Sequence, residues 1–286
     1  MKFHYDSHFH TESHINSIKF NTEQYLFYTQ KNTIQLTSPS INTQLVYSGH
    51  NNSINSIDIL DDQLLSCSSN IQIHNLLQNE APIRKFYKDD PFKINQVIFL
   101  NNSLISSVDD NKSLKIFDLK QSTTFKPIQT YSNPKDSINC VCYDDDGFLL
   151  ICGSNDGNLY TYDLRMGLLY IDQFQTPITS IKARNGGVLI NCLNQGLIKF
   201  DIKSKQKVEF GGIDRSNDED YKYDNAILEI DDGYCYVTGS RHKLYGFGGL
   251  NDVVEMKGSV LSSIDHCDGC LVIGSDYGVE KVRVND

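Results

Sequence analysis

A strand reading Ile/Val-x-x-Ile/Val/Cys, then a polar turn, a Leu-Leu-x-x-Gly-Ser type strand and a third strand ending in an aromatic residue and Asp recur together along this chain. The copies start at Ile15 (INSIKF), Ile54 (INSIDIL), Ile94 (INQVIFL), Ile138 (INCVCYD), Ile178 (ITSIKAR), Ala226 (AILEID) and Val260 (VLSSID). A unit this short cannot bury its own apolar face, so copies must stack on one another and their number sets the architecture. Successive starts lie 34 to 48 residues apart, which brackets the ~40–45 residues of a four-stranded propeller blade. The expectation is an all-β, seven-bladed propeller occupying residues 1–286 as a single domain.

The fourth copy shows how a blade is written. SINCVCYDDDGFLLICGSNDGNLYTYDLRMGLLYIDQF alternates apolar and polar residues in short runs broken at DDDG, SNDG and RMG, the pattern of strands joined by tight turns. It predicts strands over 138–143, 148–153, 158–163 and 168–174. Copy seven supplies three strands before the chain ends, while KFHYDSH at Lys2 to His8 precedes the first copy as an orphan. An unpaired edge is a liability, so the N-terminal strand (1–10) is expected to complete blade 7 (260–286) and close the ring.

Composition narrows the function. The 26 basic and 36 acidic residues leave a formal charge of −10, and without a basic stripe the chain is not expected to bind nucleic acid directly and generally. No apolar run is long enough for a membrane helix, and the polar, His-rich start is not expected to act as a leader. A soluble, intracellular and monomeric propeller with reduced thiols is expected, since Cys67, Cys140, Cys142, Cys152, Cys192 and Cys235 fall inside strand patterns.

Candidate chemistry is sparse. Cys267 and Cys270 flank Asp268-Gly269, and without a second pair at zinc spacing they read as a hairpin turn. His4, His8, His10 and His14 lie in an extended arm and read as solvated. Asp144, Asp145 and Asp146 occupy a turn. No nucleophile elbow, phosphate-binding loop or zincin motif is present, so no enzymatic activity, metal or cofactor is expected.

Tyr162-Asp163, Phe117-Asp118 and Phe200-Asp201 end third strands, and Ser48-Gly49-His50 opens the second copy. On these residues the chain resembles the WD-repeat family, whose blades end a third strand in Trp-Asp and open with Gly-His. The resemblance implies a WD40-type propeller, here without any Trp and with most of the family's His, Ser/Thr, Asp and Trp chain missing, so that the blades are expected to rely more on apolar packing. Gly153-Ser154, Asp156-Gly157, Tyr162 through Gly167, Pro177-Ile178-Thr179 and Tyr221-Lys222-x-Asp224 together resemble the WD-repeat family that includes the mitogen-activated protein kinase organiser, which is also spliceosome-associated. What this implies is a non-enzymatic scaffold of nucleus and cytoplasm, associated with pre-mRNA splicing complexes and with kinase signalling. Tyr162-Asp163-Leu164-Arg165 also resembles the motif by which some WD proteins dock on cullin-RING ubiquitin ligases, with Arg165 as the contact. That resemblance implies an alternative role as a substrate receptor.

Partner-binding residues are expected where loops converge. The face carrying the loops between the fourth and first strands and between the second and third is expected to collect Arg84, Lys85, Tyr87, Lys88, Tyr131, Lys135, Tyr221, Tyr223 and Arg241. The longest departure from the repeat, Gly211 to Asn225, adds Arg215. Aromatic and cationic groups of this kind suit acidic or extended segments of other proteins.

Overall fold

A computed structural model describes the backbone outside residues 1, 22–24, 38–44, 77–80, 87–91, 122–125, 145–147, 185–186, 194, 211–226, 231–233, 239–241, 248–251, 259, 268–269 and 286. In chain order the strands are β1 (Lys2–His10), then β2 (Ile18–Phe20), β3 (Leu26–Gln30), β4 (Thr33–Thr37) and β5 (Leu45–Tyr47). The second group is β6 (Ser56–Leu60), β7 (Gln63–Cys67), β8 (Ile71–Asn75) and β9 (Arg84–Phe86). The third is β10 (Ile94–Asn101), β11 (Leu104–Asp109), β12 (Leu114–Asp118) and β13 (Gln129–Tyr131). Next come β14 (Ile138–Asp144), β15 (Leu149–Ser154), β16 (Asn158–Asp163) and β17 (Gly167–Gln173), followed by β18 (Ile178–Arg184), β19 (Gly187–Cys192), β20 (Gly196–Asp201) and β21 (Lys207–Phe210). The chain ends with β22 (Ile227–Ile230), β23 (Tyr234–Thr238), β24 (Lys243–Phe247) and β25 (Asp252–Glu255), then β26 (Leu261–Cys267), β27 (Cys270–Ser275) and β28 (Gly278–Asn285).

These strands form seven four-stranded antiparallel sheets, six of consecutive strands and one ordered β1-β28-β27-β26. The expectation of a seven-bladed propeller is corrected to six blades whose inner strands are described with their side chains. Six sheets, those beginning β2, β6, β10, β14, β18 and β26, have described side chains on their two inner strands, whereas β22 and β23 are described by backbone alone. The seventh copy also starts one residue later than expected. Leu261, fully buried, takes the place that Ile15, Ile54, Ile94, Ile138 and Ile178 hold in the other copies. The first-to-second-strand ladder slips between Leu261 and Ser263 as it does between Ile94 and Gln96, Ile138 and Cys140, and Ile178 and Ser180. These are β-bulges, where the extra residue is left outside the ladder and its side chain is re-aimed.

The packing explains how these blades dispense with Trp. The residue preceding or replacing the third-strand Asp is His74, Phe117, Tyr162, Phe200 or Phe247, each buried. Each meets the aromatic that ends, or in the case of Phe174 directly follows, the outer strand of the preceding blade. The pairs are Tyr47–His74, Phe86–Phe117, Tyr131–Tyr162, Phe174–Phe200 and Phe210–Phe247, with ring centroids 5.6, 5.5, 4.6, 5.6 and 5.5 Å apart. Such a pair contributes about 0.5–1.5 kcal/mol beyond its buried area. Five junctions are therefore sealed by aromatic pairs.

Apolar packing is joined by buried polar pairs. His50 Nε2 lies 2.8 Å from Ser66 Oγ, and Lys115 Nζ lies 2.6 Å from Asp109 Oδ2 with both side chains buried. Tyr160 Oη donates to Asp156 Oδ2 at 2.6 Å, and fully buried Glu280 accepts from Lys257 N, Gly258 N, Ser275 Oγ and Tyr5 Oη. Different polar pairs thus replace one repeated chain.

His50 makes stability sensitive to acid. Burial, with the nearby charges of His74 and Lys85, pushes its pKa down to about 3. As pH falls below the unfolded value of ~6.5 the unfolded chain takes up the proton first, so stability present at neutral pH is lost as pH drops toward 3. At ~1.4 kcal/mol per pH unit, the expected loss between pH 7 and 5 is about 2 kcal/mol, with His74, also lowered by burial, acting in the same direction. Urea unfolding at the two pH values checks this, and His50→Gln should flatten the dependence.

Candidate functional site

The first strands line the axis of the ring, and the second residue of six copies, Asn16, Asn55, Asn95, Asn139, Thr179 and Ser262, stands at one end of that channel. Asn16, Asn55, Asn95 and Asn139 each donate from Nδ2 to the backbone carbonyl of the buried first residue of the next copy: Ile54 at 2.7 Å, Ile94 at 2.7 Å, Ile138 at 2.9 Å and Ile178 at 2.8 Å. Ser262 Oγ donates likewise to the carbonyl of Ile15. The bonds all run in one rotational sense and couple blade to blade.

Further in, side chains close the free inner edges. Ser17 Oγ accepts from Ile57 N at 3.2 Å, Gln96 Oε1 from Val141 N at 2.8 Å, Asp58 Oδ2 from Phe99 N at 2.8 Å and Asp265 Oδ2 from Phe20 N at 2.7 Å. Edge amides that would otherwise be unpaired are thereby satisfied. Lys19 Nζ lies 3.6 Å from Asp58 Oδ1, whose charge raises the lysine pKa against the effect of burial. The charge of Lys19, followed by burial, lowers that of Lys182.

The Asn ring floors a cavity of about 310 Å³, completed by His14, Lys93, Asp110, Ser137, Thr179 and Ser262. Asn16, Asn95 and Asn139 use their amide hydrogens twice, the second time toward Ser53 Oγ, Asp110 Oδ1 and Asn155 Oδ1. The bonded carbonyls fix each amide's orientation, since a carbonyl oxygen requires the nitrogen opposite it. Their Oδ1 atoms are then acceptors for a ligand. A ring of neutral acceptors, with Lys93 and Asp110 exposed at its rim, suits an extended peptide or a side chain rich in N–H donors.

The residues expected to bind partners are scattered. Lys135 is exposed in the loop before β14, its backbone N–H bonded to Asp156, and Lys85 is exposed with Nζ 3.3 Å from the carbonyl of Gly49. Arg84 departs from expectation: its guanidinium bonds the carbonyls of Leu119 and Gln121, beyond the third strand of the next blade and on the opposite face. Tyr131 is packed against Tyr162. Arg165 lies on the opposite face too, with 70% of its side chain exposed. Its Nη2 is 3.0 Å from Asp163 Oδ2 and its guanidinium 5.2 Å from the Phe148 ring, and Arg165 holds the Asp163 carboxyl down to about 2. Tyr87, Lys88, Arg215, Tyr221, Tyr223 and Arg241, with the 211–225 segment, lie outside the described residues.

Sequence reasoning passed over the Asn ring, although the second letter of INSI, INSI, INQV and INCV announces it. Cys267 and Cys270 face each other across a hairpin, and burial raises the Cys270 thiol. Among the described residues no three His, Cys, Asp or Glu side chains come together as a metal site.

Residues 125–163 match the WD domain, G-beta repeat family. That segment is a WD40 repeat. It spans the outer strand β13 and the three inner strands of the next sheet, and the architecture around it is an all-β, WD40-type propeller. An uncharacterized WD repeat-containing protein of Schizosaccharomyces pombe is 40% identical over 83 residues, 28% of this chain and 27% of that protein. WD repeat-containing protein JIP5 of Cryptococcus neoformans is 36% identical over 72 residues, 25% of this chain and 18% of that protein. The chain thus matches about a quarter or less of the length of these relatives. WD repeat proteins act as protein-interaction scaffolds, and propellers of this type are generally not enzymes.

Proposed function

We propose that this propeller is a non-enzymatic scaffold that holds partner proteins at the channel mouth and works in nuclear and cytoplasmic assemblies of pre-mRNA splicing. The single observation that supports the binding mode is the Asn ring, in which each amide gives a hydrogen to the next blade's carbonyl while the four residues line one cavity. The splicing assignment rests on the ordered blocks from Gly153 to Asp224. Affinity purification with mass spectrometry tests both. Splicing subunits should be enriched with the unaltered protein and reduced at least about tenfold by Lys93→Glu combined with Ser137→Trp, rim changes that keep the four Asn-to-carbonyl bonds between blades and remove only the bond from Asn155 Nδ2 to Ser137 Oγ. Undiminished recovery would refute the mouth, and enrichment of ubiquitin-ligase adaptors in place of splicing subunits would refute the assignment.

A further inference from the structure

The outer wall of the ring offers a second surface, at β17. The outer strands β5, β9 and β13 have three residues each and β21 and β25 have four, whereas β17 has seven. β1 is longer, but among its described side chains the exposed ones, Asp6, Ser7, His8 and His10, are all polar. β17 exposes Tyr170 and Ile171 by 48% and 53%. Being adjacent in a strand, these side chains project from opposite faces of the sheet.

The ladder to β16 runs without a break from Tyr170 opposite Thr161 to Gln173 opposite Asn158. Phe174 N–H continues it, donating to the carbonyl of Gly157 at 2.8 Å. Antiparallel alternation then turns Tyr170 and Asp172 amides inward and those of Ile171 and Gln173 outward. Exposed lysines of the next blade flank the Tyr170–Asp172 face. Lys205 Nζ is 4.2 Å from the Tyr170 ring centroid and 2.8 Å from Asp172 Oδ2. Lys207 Nζ is 3.9 Å from the Phe174 centroid and 2.9 Å from the Gln173 carbonyl. In a chain of net charge −10 this is a local basic margin beside an outer strand edge on which Lys207 occupies the Gln173 carbonyl.

We propose that β17 accepts an extended segment of a partner protein as a fifth strand of its sheet, with acidic side chains toward Lys205 and Lys207 and an apolar side chain against Ile171. Outward amides supply the main-chain pairing and the two faces select the partner's alternate residues. The basic margin favours an acidic strand over a basic one.

A fluorescein-labelled peptide of alternating Glu and Val is a direct probe, read by anisotropy and by amide hydrogen exchange. Saturable binding with slowed exchange at Ile171 and Gln173 is expected. Replacing Glu by Lys in the peptide, or Lys205→Glu with Lys207→Glu in the protein, should weaken binding about tenfold or more. Ile171→Pro should abolish it while the circular dichroism spectrum is retained, because the removed N–H points away from β16 and proline is tolerated on a free edge. Gln173→Pro repeats the test at the second outward amide. The rim changes Lys93→Glu and Ser137→Trp should leave this binding intact. No slowed exchange at Ile171 and Gln173, or equal binding to the folded proline variants, would overturn the proposal.

Discussion

Removing residues 1–10 is expected to lower the melting temperature by about 10 °C or more, the largest effect of any short deletion. β1 pairs with β28 from Lys2 opposite Asn285 to His10 opposite Gly278, so the deletion strips the outer strand and leaves the ladder groups of β28 unpaired. Phe9 packs on Tyr28 with centroids 5.5 Å apart and touches the cluster of Ile15, Ile18, Val272 and Val279, which joins the last sheet to the first. Tyr5 gives its hydroxyl to Glu280 at 3.1 Å. Losing two partly buried aromatics at up to ~2 kcal/mol each, with several hydrogen bonds at ~1 kcal/mol, amounts to about 5 kcal/mol. In a domain of this size 1 kcal/mol shifts the midpoint by roughly 2–4 °C. A thermal melt of the truncated chain is decisive, and an unchanged midpoint would mean that β1 does not secure the ring.

Lys115→Met is expected to cost about 3–5 kcal/mol. The ammonium and the Asp109 carboxylate lie 2.6 Å apart, with side chains 9% and 2% exposed, and Asp109 also accepts from the backbone N–H and hydroxyl of Ser113. Methionine fills the lysine's volume but leaves a carboxylate buried without its counter-charge. The double variant Asp109→Asn with Lys115→Met should recover most of the loss, because Asn keeps an acceptor for Ser113 and no charge remains uncompensated. Urea unfolding of both variants separates lost charge pairing from lost packing. A single-variant cost below about 1 kcal/mol would show that water reaches Asp109.

Local structure was legible in the fourth copy to within one residue. Strands expected over 138–143, 148–153, 158–163 and 168–174 are found at 138–144, 149–154, 158–163 and 167–173, because period-two alternation and Asp, Asn and Gly turns act between near neighbours. The start of the last copy was read one residue early, since Val260 and Leu261 look alike in a pattern of apolar letters and only the ladder tells which is buried in register. The candidate surface was less legible. Arg84 and Tyr131 carry the residue types of an interface, yet Arg84 serves a blade junction on the opposite face and Tyr131 stacks on Tyr162.

The sequence by itself determined the strands, their turns and the apolar alternation that makes stacking obligatory, all set by interactions within a few residues. The tertiary structure alone decided what the irregular letters do. The repeated Asn ties each of the first four copies to a carbonyl some forty residues away, and the aromatics closing outer strands replace the absent Trp by meeting rings of the next blade. Both depend on which residues of distant copies are brought face to face. Chain spacing cannot specify that until the blades have packed.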